Sequence, residues 1–256
     1  MSVTNGKTIF IVLPAYNAAK TLTRTLDEIP PEYRKNIILV DDASRDNTVE
    51  VARKAGLIVI EHEQNRGYGG NQKTCYTHAL KCGAGLIVML HPDHQYDAKI
   101  IPQLIKPILN GDADAVFGSR MLGGRPLEGG MPRWKYMANV LLTASANIVF
   151  RRYLTEIHSG FRAYSRNYLE TVRFMENSDD FIFDTEIIAQ GMMNDLTFQE
   201  TPIDTRYFPE ASSINLWRSI IYGFEILGVL VKYWLHRAGL IRFKQFEPAG
   251  KKTTAV

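Results

Sequence analysis

The stretch Leu86-Ile87-Val88-Met89-Leu90-His91-Pro92-Asp93-His94-Gln95-Tyr96-Asp97 constrains the fold more than any other part of the chain. Its first five residues are apolar and predict a buried strand of a parallel sheet. They stop at a polar turn carrying Asp93, Gln95 and Asp97. In open α/β sheets, ligands bind just beyond the carboxyl ends of the strands. A carboxylate and a carboxamide two residues apart on such a strand end suit a hard divalent cation that keeps waters and bridges phosphates. The same residues also fit a plain polar loop capping the next helix, and the stretch alone leaves both readings open.

The rest of the chain supplies a sheet for that strand. Residues 8–13 predict a first buried strand that ends at Pro14-Ala15-Tyr16-Asn17, followed by a helix over 18–29. Residues 36–40 predict a second strand ending at Asp41-Asp42-Ala43-Ser44, and Asp46 caps a helix that Gly56 stops. A third strand over 57–61 leads through the glycine-rich turn at 65–71 into a helix ending near Cys82. After the organising strand come a helix over 98–109 and a short strand over 113–117. Strands and helices alternating over short links predict a doubly wound α/β domain with a mostly parallel sheet.

Composition narrows the class. A chain of 256 residues can bury a real core, and 45% hydrophobic with 22% charged residues is ordinary globular composition. A net charge of +3 gives no argument for nucleic acid. Cys75 and Cys82 lie on one predicted helix, roughly on one face, and are expected to be reduced core thiols of a cytosolic protein. The first residues lack the basic-then-apolar order of a signal peptide. No segment reaches the roughly 18 uncharged apolar residues of a spanning helix.

The second half is less regular. Residues 118–132 hold five glycines and two prolines in fifteen positions, which predicts a mobile loop able to act as a lid. Residues 133–153 predict an amphipathic helix with a basic start, 159–164 a strand, 183–193 a helix and 196–201 a last strand. Residues 216–237 have helical spacing with a wide apolar face, and Arg218, Lys232 and Arg237 oppose one Glu225 on the polar side. The expected organisation is a catalytic domain over 1–212, an amphipathic helical appendage over 213–245 and a disordered tail over 246–256.

Three strand ends therefore bring polar clusters to one rim: Tyr16-Asn17, Asp41-Asp42 and Asp93 with Gln95, with Arg120 as a cation for the same rim. One of Asp41 and Asp42 is expected to cap a loop. The motifs Pro14-Ala15-Tyr16-Asn17, Val40-Asp41-Asp42-Ala43-Ser44, Asn65-Arg66-Gly67-Tyr68-Gly69, Gly118-Ser119-Arg120 and Ser159-Gly160-Phe161-Arg162 occur in this order. Together they resemble the inverting nucleotide-sugar transferases of glycosyltransferase family two, most of all the branch of dolichol-phosphate mannose synthase and polyprenyl-phosphate glucosyltransferases. That resemblance implies a glycosyltransferase-A-like fold. It implies that Pro14, Tyr16, Val40 and Asp42 hold the nucleoside and that Asp93 and Gln95 hold a Mg²⁺ or Mn²⁺ ion and the diphosphate. Arg120 then faces the phosphates, Arg206 closes over the donor, and Glu156 stands where the family usually has an aspartate. The chain departs from the family at His91, where the metal motif begins with aspartate, at Ala18, where a glutamate is common, and at Ser212-Ser213, where the mannose synthases have Ser-Lys. His91 is expected to be hydrogen-bonded in its turn, with metal ligation as the other reading.

Breaking an anomeric bond to a diphosphate passes through an oxocarbenium-like state, so metal and arginine stabilise the leaving group. A hydroxyl acceptor needs a general base, for which Glu156 is the candidate. A lipid phosphate is already an anion and needs cations to place it, for which Arg133 and Lys135 are candidates. The expected activity is inverting transfer of a hexose from a UDP-glucose-like or GDP-mannose-like donor to a polyprenyl phosphate, on the cytoplasmic face of a membrane. The other readings are transfer to a glycan hydroxyl and a nucleotide-sugar-binding protein without turnover. Membrane surface, a second copy and a membrane protein are the candidate partners. A dinucleotide dehydrogenase is excluded, because Gly67-Tyr68-Gly69-Gly70-Asn71 is not Gly-x-Gly-x-x-Gly and follows the third strand.

Overall fold

The protein is described from a computed structural model, which covers residues 3–4, 6–123, 126–206 and 216–250. The strands are β1 (Val3–Thr4), β2 (Lys7–Ala15), β3 (Ile37–Asp41), β4 (Ile58–Glu61), β5 (Leu86–Met89), β6 (Ala115–Ser119), β7 (Arg162–Ser165) and β8 (Phe198–Pro202). They run in the order β4-β3-β2-β5-β7-β6-β8, with β1 pairing back on β2. β2 pairs in parallel with β3 and β5, β3 with β4, and β6 with β8. Only β7 departs from this within the main path, running antiparallel to β5 and β6. The sheet is thus mostly parallel and mixed, as in a glycosyltransferase-A-like fold.

Alternate residues of the central strands feed two cores, as period-two geometry requires. Phe10, Val12, Ile38, Val40, Ile87 and Met89 join one cluster. Ile9, Ile11, Leu13, Leu39, Leu86 and Val88 join the other. The second face is covered by α1 (Leu22–Glu28), α2 (Thr48–Lys54) and α4 (Ile101–Asn110). The first carries α3 (Gly67–Lys81), α5 (Arg133–Phe150), α6 (Arg166–Thr171), α7 (Phe183–Met193) and α8 (Leu216–Arg237). Helices on both faces explain why the strands are continuous apolar runs.

Several expectations shift. The first helix starts at Leu22 instead of 18, because the preceding amides are held by the β3–α2 loop. Asn17 N donates to Ser44 Oγ at 2.8 Å, Ala18 N to Thr48 Oγ1 at 2.8 Å and Ala19 N to Asp46 Oδ2 at 3.1 Å. Helix 98–109 opens as a 3₁₀ turn at Ala98–Ile100, where Asp97 accepts from Lys99 N at 3.0 Å. Gly118 and Ser119 belong to β6, and the strand expected at 159–164 starts at Arg162. The cysteines do not share a face: Cys75 is buried and Cys82, past the end of α3, is exposed. α8 does not stand apart as an appendage, since Ile226, Val229, Leu230 and Tyr233 lie in the first core. Nor is the chain loose from Phe246, which is 1% exposed, and Ala249 N donates to Thr171 O at 2.8 Å. Ser212-Ser213 lie outside the described residues.

Candidate active site

The carboxyl ends of β2, β3, β5 and β6 open on one rim, and antiparallel β7 brings its first residues to the same rim. There a cleft of about 860 Å³ is lined by Pro14, Tyr16, Asp42, Asp93, Gln95 and Arg120, six of the nine expected site residues. Val40, Glu156 and Arg206 are not part of its wall.

Val40 is buried in β3, and its carbonyl accepts from Asn71 Nδ2 at 2.9 Å. Asp42 lies in the wall but is committed to the start of α3. It accepts from Arg66 N at 2.8 Å, Gly67 N at 3.0 Å and His62 Nδ1 at 2.7 Å, so an anion meets the positive end of the helix. Asp41 caps the loop through Ser44 N at 2.9 Å, and its buried Oδ1 has no partner among the described residues. The glycine-rich turn does not cradle a ligand with its own amides. Gly69 N donates to Asp179 O at 2.7 Å, and a Cβ on Gly67 would come within 2.6 Å of that carbonyl.

Asp93 and Gln95 leave the strand end together, both buried, with Gln95 N donating to Asp93 Oδ1 at 3.1 Å. Among the described residues no three His, Cys, Asp or Glu side chains gather as a metal cage. One carboxylate and one carboxamide fit Mg²⁺ or Mn²⁺, which take much of their coordination from waters and substrate phosphates, and do not fit an all-protein site. His91 stacks on Tyr68 with ring centroids 5.4 Å apart. The Tyr68 hydroxyl donates to Asp184 Oδ2 at 2.8 Å, so its oxygen accepts from His91 Nε2 at 3.2 Å. The His91 ring is therefore hydrogen-bonded, but to a tyrosine of α3 and not within its own turn. Burial holds its pKa down, against the opposing pull of Asp93 and Asp184.

Arg120 is held by Glu156, which is 0% exposed. Arg120 N donates to Oε2 and Arg120 Nε to Oε1, both at 2.8 Å, and Nη2 makes a third contact. Both oxygens of Glu156 are therefore taken. Arg206 sits behind the Asp93–Gln95 turn. Its amide donates to Gln95 O at 2.9 Å and its guanidinium pairs with Glu28 at 2.8 Å. Of the two basic residues opening α5, Lys135 lines the cleft and Arg133 does not. Burial and the Arg120 charge lower the Lys135 pKa.

Four further wall residues were not among the expected site residues. Asp184 anchors a buried network with Tyr68, Gln72 and Arg162, and its only signal was an acid, beside Glu186, in the first turn of the helix. His158 precedes the Ser-Gly-Phe-Arg motif. Both its ring nitrogens are shut off from solvent without a hydrogen-bond partner among the described residues. Burial first, then Arg120, Arg162 and Lys135, push its pKa down to about 3. Arg218 and Tyr222 roof the cleft from α8. The Arg218 guanidinium lies 5.4 Å from the Phe181 ring centroid and pairs with Asp180 at 2.7 Å.

A rim of strand-end carboxylates, an anchored arginine and a glycine-rich helix start is the arrangement the five motifs build. Residues 10–173 match the family profile of Glycosyl transferase family 2. The chain belongs to that family. This family 2 glycosyltransferase is 34% identical, over 89% of its length and 92% of the other, to an uncharacterised protein of Methanocaldococcus jannaschii. It is 28% identical, over 86% of its length and 93% of the other, to UDP-N-acetylglucosamine–dolichyl-phosphate N-acetylglucosaminyltransferase of Methanococcus voltae. Its fold is similar to that of glucosyl-3-phosphoglycerate synthase from Mycobacterium tuberculosis, solved with Mn²⁺, UDP and glucosyl-3-phosphoglycerate. The TM-score is 0.65 at 19% identity, covering 89% of this chain and 80% of that one.

Proposed function

We propose that this glycosyltransferase moves a hexose from a nucleotide-diphosphate donor, UDP-glucose-like or GDP-mannose-like, to a polyprenyl phosphate, with inversion at the anomeric carbon. The observation that carries the reading is the make-up of the cleft. One half is polar, with Asp42, Asp93 and Gln95. The other is built by α5 and α8, with Lys135 beside Arg120 among Trp134, Ala138, Leu142 and Tyr222. Beyond the mouth the same helices expose Leu141 and Phe224. An anionic head among cations and an apolar tail along the helices suit one molecule carrying both. The Methanococcus relative is named for a dolichyl-phosphate acceptor, and the mycobacterial structure holds Mn²⁺ and UDP.

Asp93 and Gln95 would hold the Mg²⁺ or Mn²⁺ ion and the diphosphate, and the ion supplies charge neutralisation to the leaving group. Pro14 and Tyr16 bound the nucleoside end. Arg120, fixed in direction by Glu156, faces the phosphates. Lys135 places the acceptor phosphate, whose oxygen attacks the anomeric carbon as the bond to the diphosphate breaks and its electron pair leaves with the nucleotide. A phosphate nucleophile needs no general base, in keeping with a Glu156 already occupied by Arg120. Arg206 reaches the donor only by leaving Glu28. Among the described residues no helix is long and apolar enough to cross a membrane. The apolar residues that α5 and α8 expose support work at the membrane surface.

The test offers undecaprenyl or dolichyl phosphate in detergent beside soluble sugar acceptors, with a panel of nucleotide-sugars and Mg²⁺ or Mn²⁺. Transfer to the lipid phosphate, lost in excess chelator, is expected. Transfer only to the soluble acceptors overturns the reading.

A further inference from the structure

At the far end of α5 and α8 lies a second cavity, of about 450 Å³, lined by Arg151, Arg152, Asp195, Tyr233, Trp234 and Arg237 among others. Arg151 is the C-cap of α5, and Arg237 is the last residue of α8. Both helices thus end in cations, where the negative end of the dipole favours them. Three arginines face one carboxylate, and none of the three is in an ion pair among the described residues. From Lys135 to Arg151 the helix advances roughly 24 Å at about 1.5 Å per residue, so this cavity is separate from the catalytic cleft.

The surface around it is apolar. Ile148 is 78% exposed, Tyr153 84%, Leu240 64%, and Val231 and Trp234 are each half-exposed. Arginine binds phosphate oxygens through its planar fork, and Trp favours the boundary between headgroup and acyl chain. We propose that this cavity binds the phosphodiester headgroup of an anionic phospholipid. The exposed apolar residues of α5 and α8 then enter the acyl boundary beside it. The charge fits that occupant: three arginines against one carboxylate leave the cavity with a net positive charge, which an anionic surface attracts. Such docking sets the catalytic cleft at headgroup level. The inference rests on the membrane-surface reading given above.

Vesicle flotation tests it, with neutral phosphatidylcholine vesicles and vesicles containing one part in three phosphatidylglycerol. The triple variant Arg151→Asn, Arg152→Gln, Arg237→Gln is compared with a control that removes three cations from the opposite face, Arg24→Gln, Arg53→Gln, Lys54→Gln. The first should bind anionic vesicles about tenfold more weakly or worse, since each basic residue near an anionic surface contributes several-fold to partitioning. The control should change by less than about threefold. Both should transfer sugar to a short-chain polyprenyl phosphate in solution at the wild-type rate. Equal losses in the two variants, or none in the first, overturn the headgroup site and leave the acceptor reading standing. A wild-type chain that floats with neither vesicle, or self-associates through this face instead, overturns the site and the membrane-surface reading together. Loss of short-chain transfer in every protein, wild type included, overturns the acceptor reading on its own.

Discussion

At the scale of single residues, Glu156 and His158 occupy neighbouring positions with opposite electrostatic consequences. Glu156 is a buried anion fully used by Arg120. Glu156→Gln keeps the shape and an acceptor oxygen but removes the buried carboxylate charge that faces Arg120. Breaking a buried pair in this way costs about 3–5 kcal/mol, so the variant should unfold at markedly lower denaturant. Its turnover, measured below the new transition, should fall far less than the about 100- to 10,000-fold expected for loss of a general base. A loss in that range at near-normal stability would return Glu156 to the role of base and favour a hydroxyl acceptor. His158 titrates the other way. Its folded pKa of about 3 lies below the unfolded value of roughly 6.5, so the unfolded chain takes up the proton first as pH falls. It therefore costs no stability above about pH 6.5, and stability drains by about 1.4 kcal/mol per pH unit from there down towards pH 3. His158→Phe should flatten that slope, as read from denaturant unfolding at pH 6, 5 and 4. An unchanged slope would mean that the ring is protonated, or exposed, in the folded enzyme.

At the scale of elements, α3 shows where the glycines are required. Gly67 has φ +82° and a Cβ there would meet Asp179 O at 2.6 Å. Gly67→Ala combines left-handed strain of about 1–2 kcal/mol with overpacking of about 1–3 kcal/mol. A stability loss of about 2–5 kcal/mol by chemical denaturation is expected, and a loss under about half of one kcal/mol would show that the Asp179 loop gives way. The reason for these glycines was not legible in the sequence, because the partner lies over a hundred residues downstream. Contacts between residues 27 to 36 positions apart decided other differences. The start of α1 depends on Ser44, Asp46 and Thr48, and the commitment of Glu156 depends on Arg120. What depends on local pattern was legible. The apolar runs at β2, β3 and β5 gave the parallel core, and α7 and α8 fall at 183–193 and 216–237 as their spacing predicts. The polar residues that terminate strands fell on one rim for the same reason. Direction escaped: β7 is short, and nothing within Arg162–Ser165 says that it runs antiparallel to its neighbours.

At the scale of the whole molecule, α8 is both a piece of the core and a piece of the site. Arg218 and Tyr222 face the cleft, while Ile226, Val229, Leu230 and Tyr233 lie in the cluster that covers one side of the sheet. Phe246 then packs edge-on to Tyr233, with ring centroids 6.0 Å apart. The apolar spacing at 216–237 suggested an appendage, because periodicity reports a wide apolar face and not how that face is divided between protein and solvent. The division is measurable. Five buried side chains at about 1.5–3 kcal/mol each amount to roughly 7–15 kcal/mol, an upper estimate against a relaxed unfolded chain. That equals the whole stability of a typical domain, about 5–15 kcal/mol. A chain ending at residue 215 should therefore give no cooperative thermal transition and should expose its apolar sheet face, seen as dye binding and aggregation. Leu141→Ser and Phe224→Ser, on the exposed side of the same helix pair, should leave the transition within a few degrees of wild type while weakening any attachment to vesicles. If the shortened chain is soluble and melts like the full one, α8 is an appendage after all, and its contacts with the sheet contribute little to holding the cleft together.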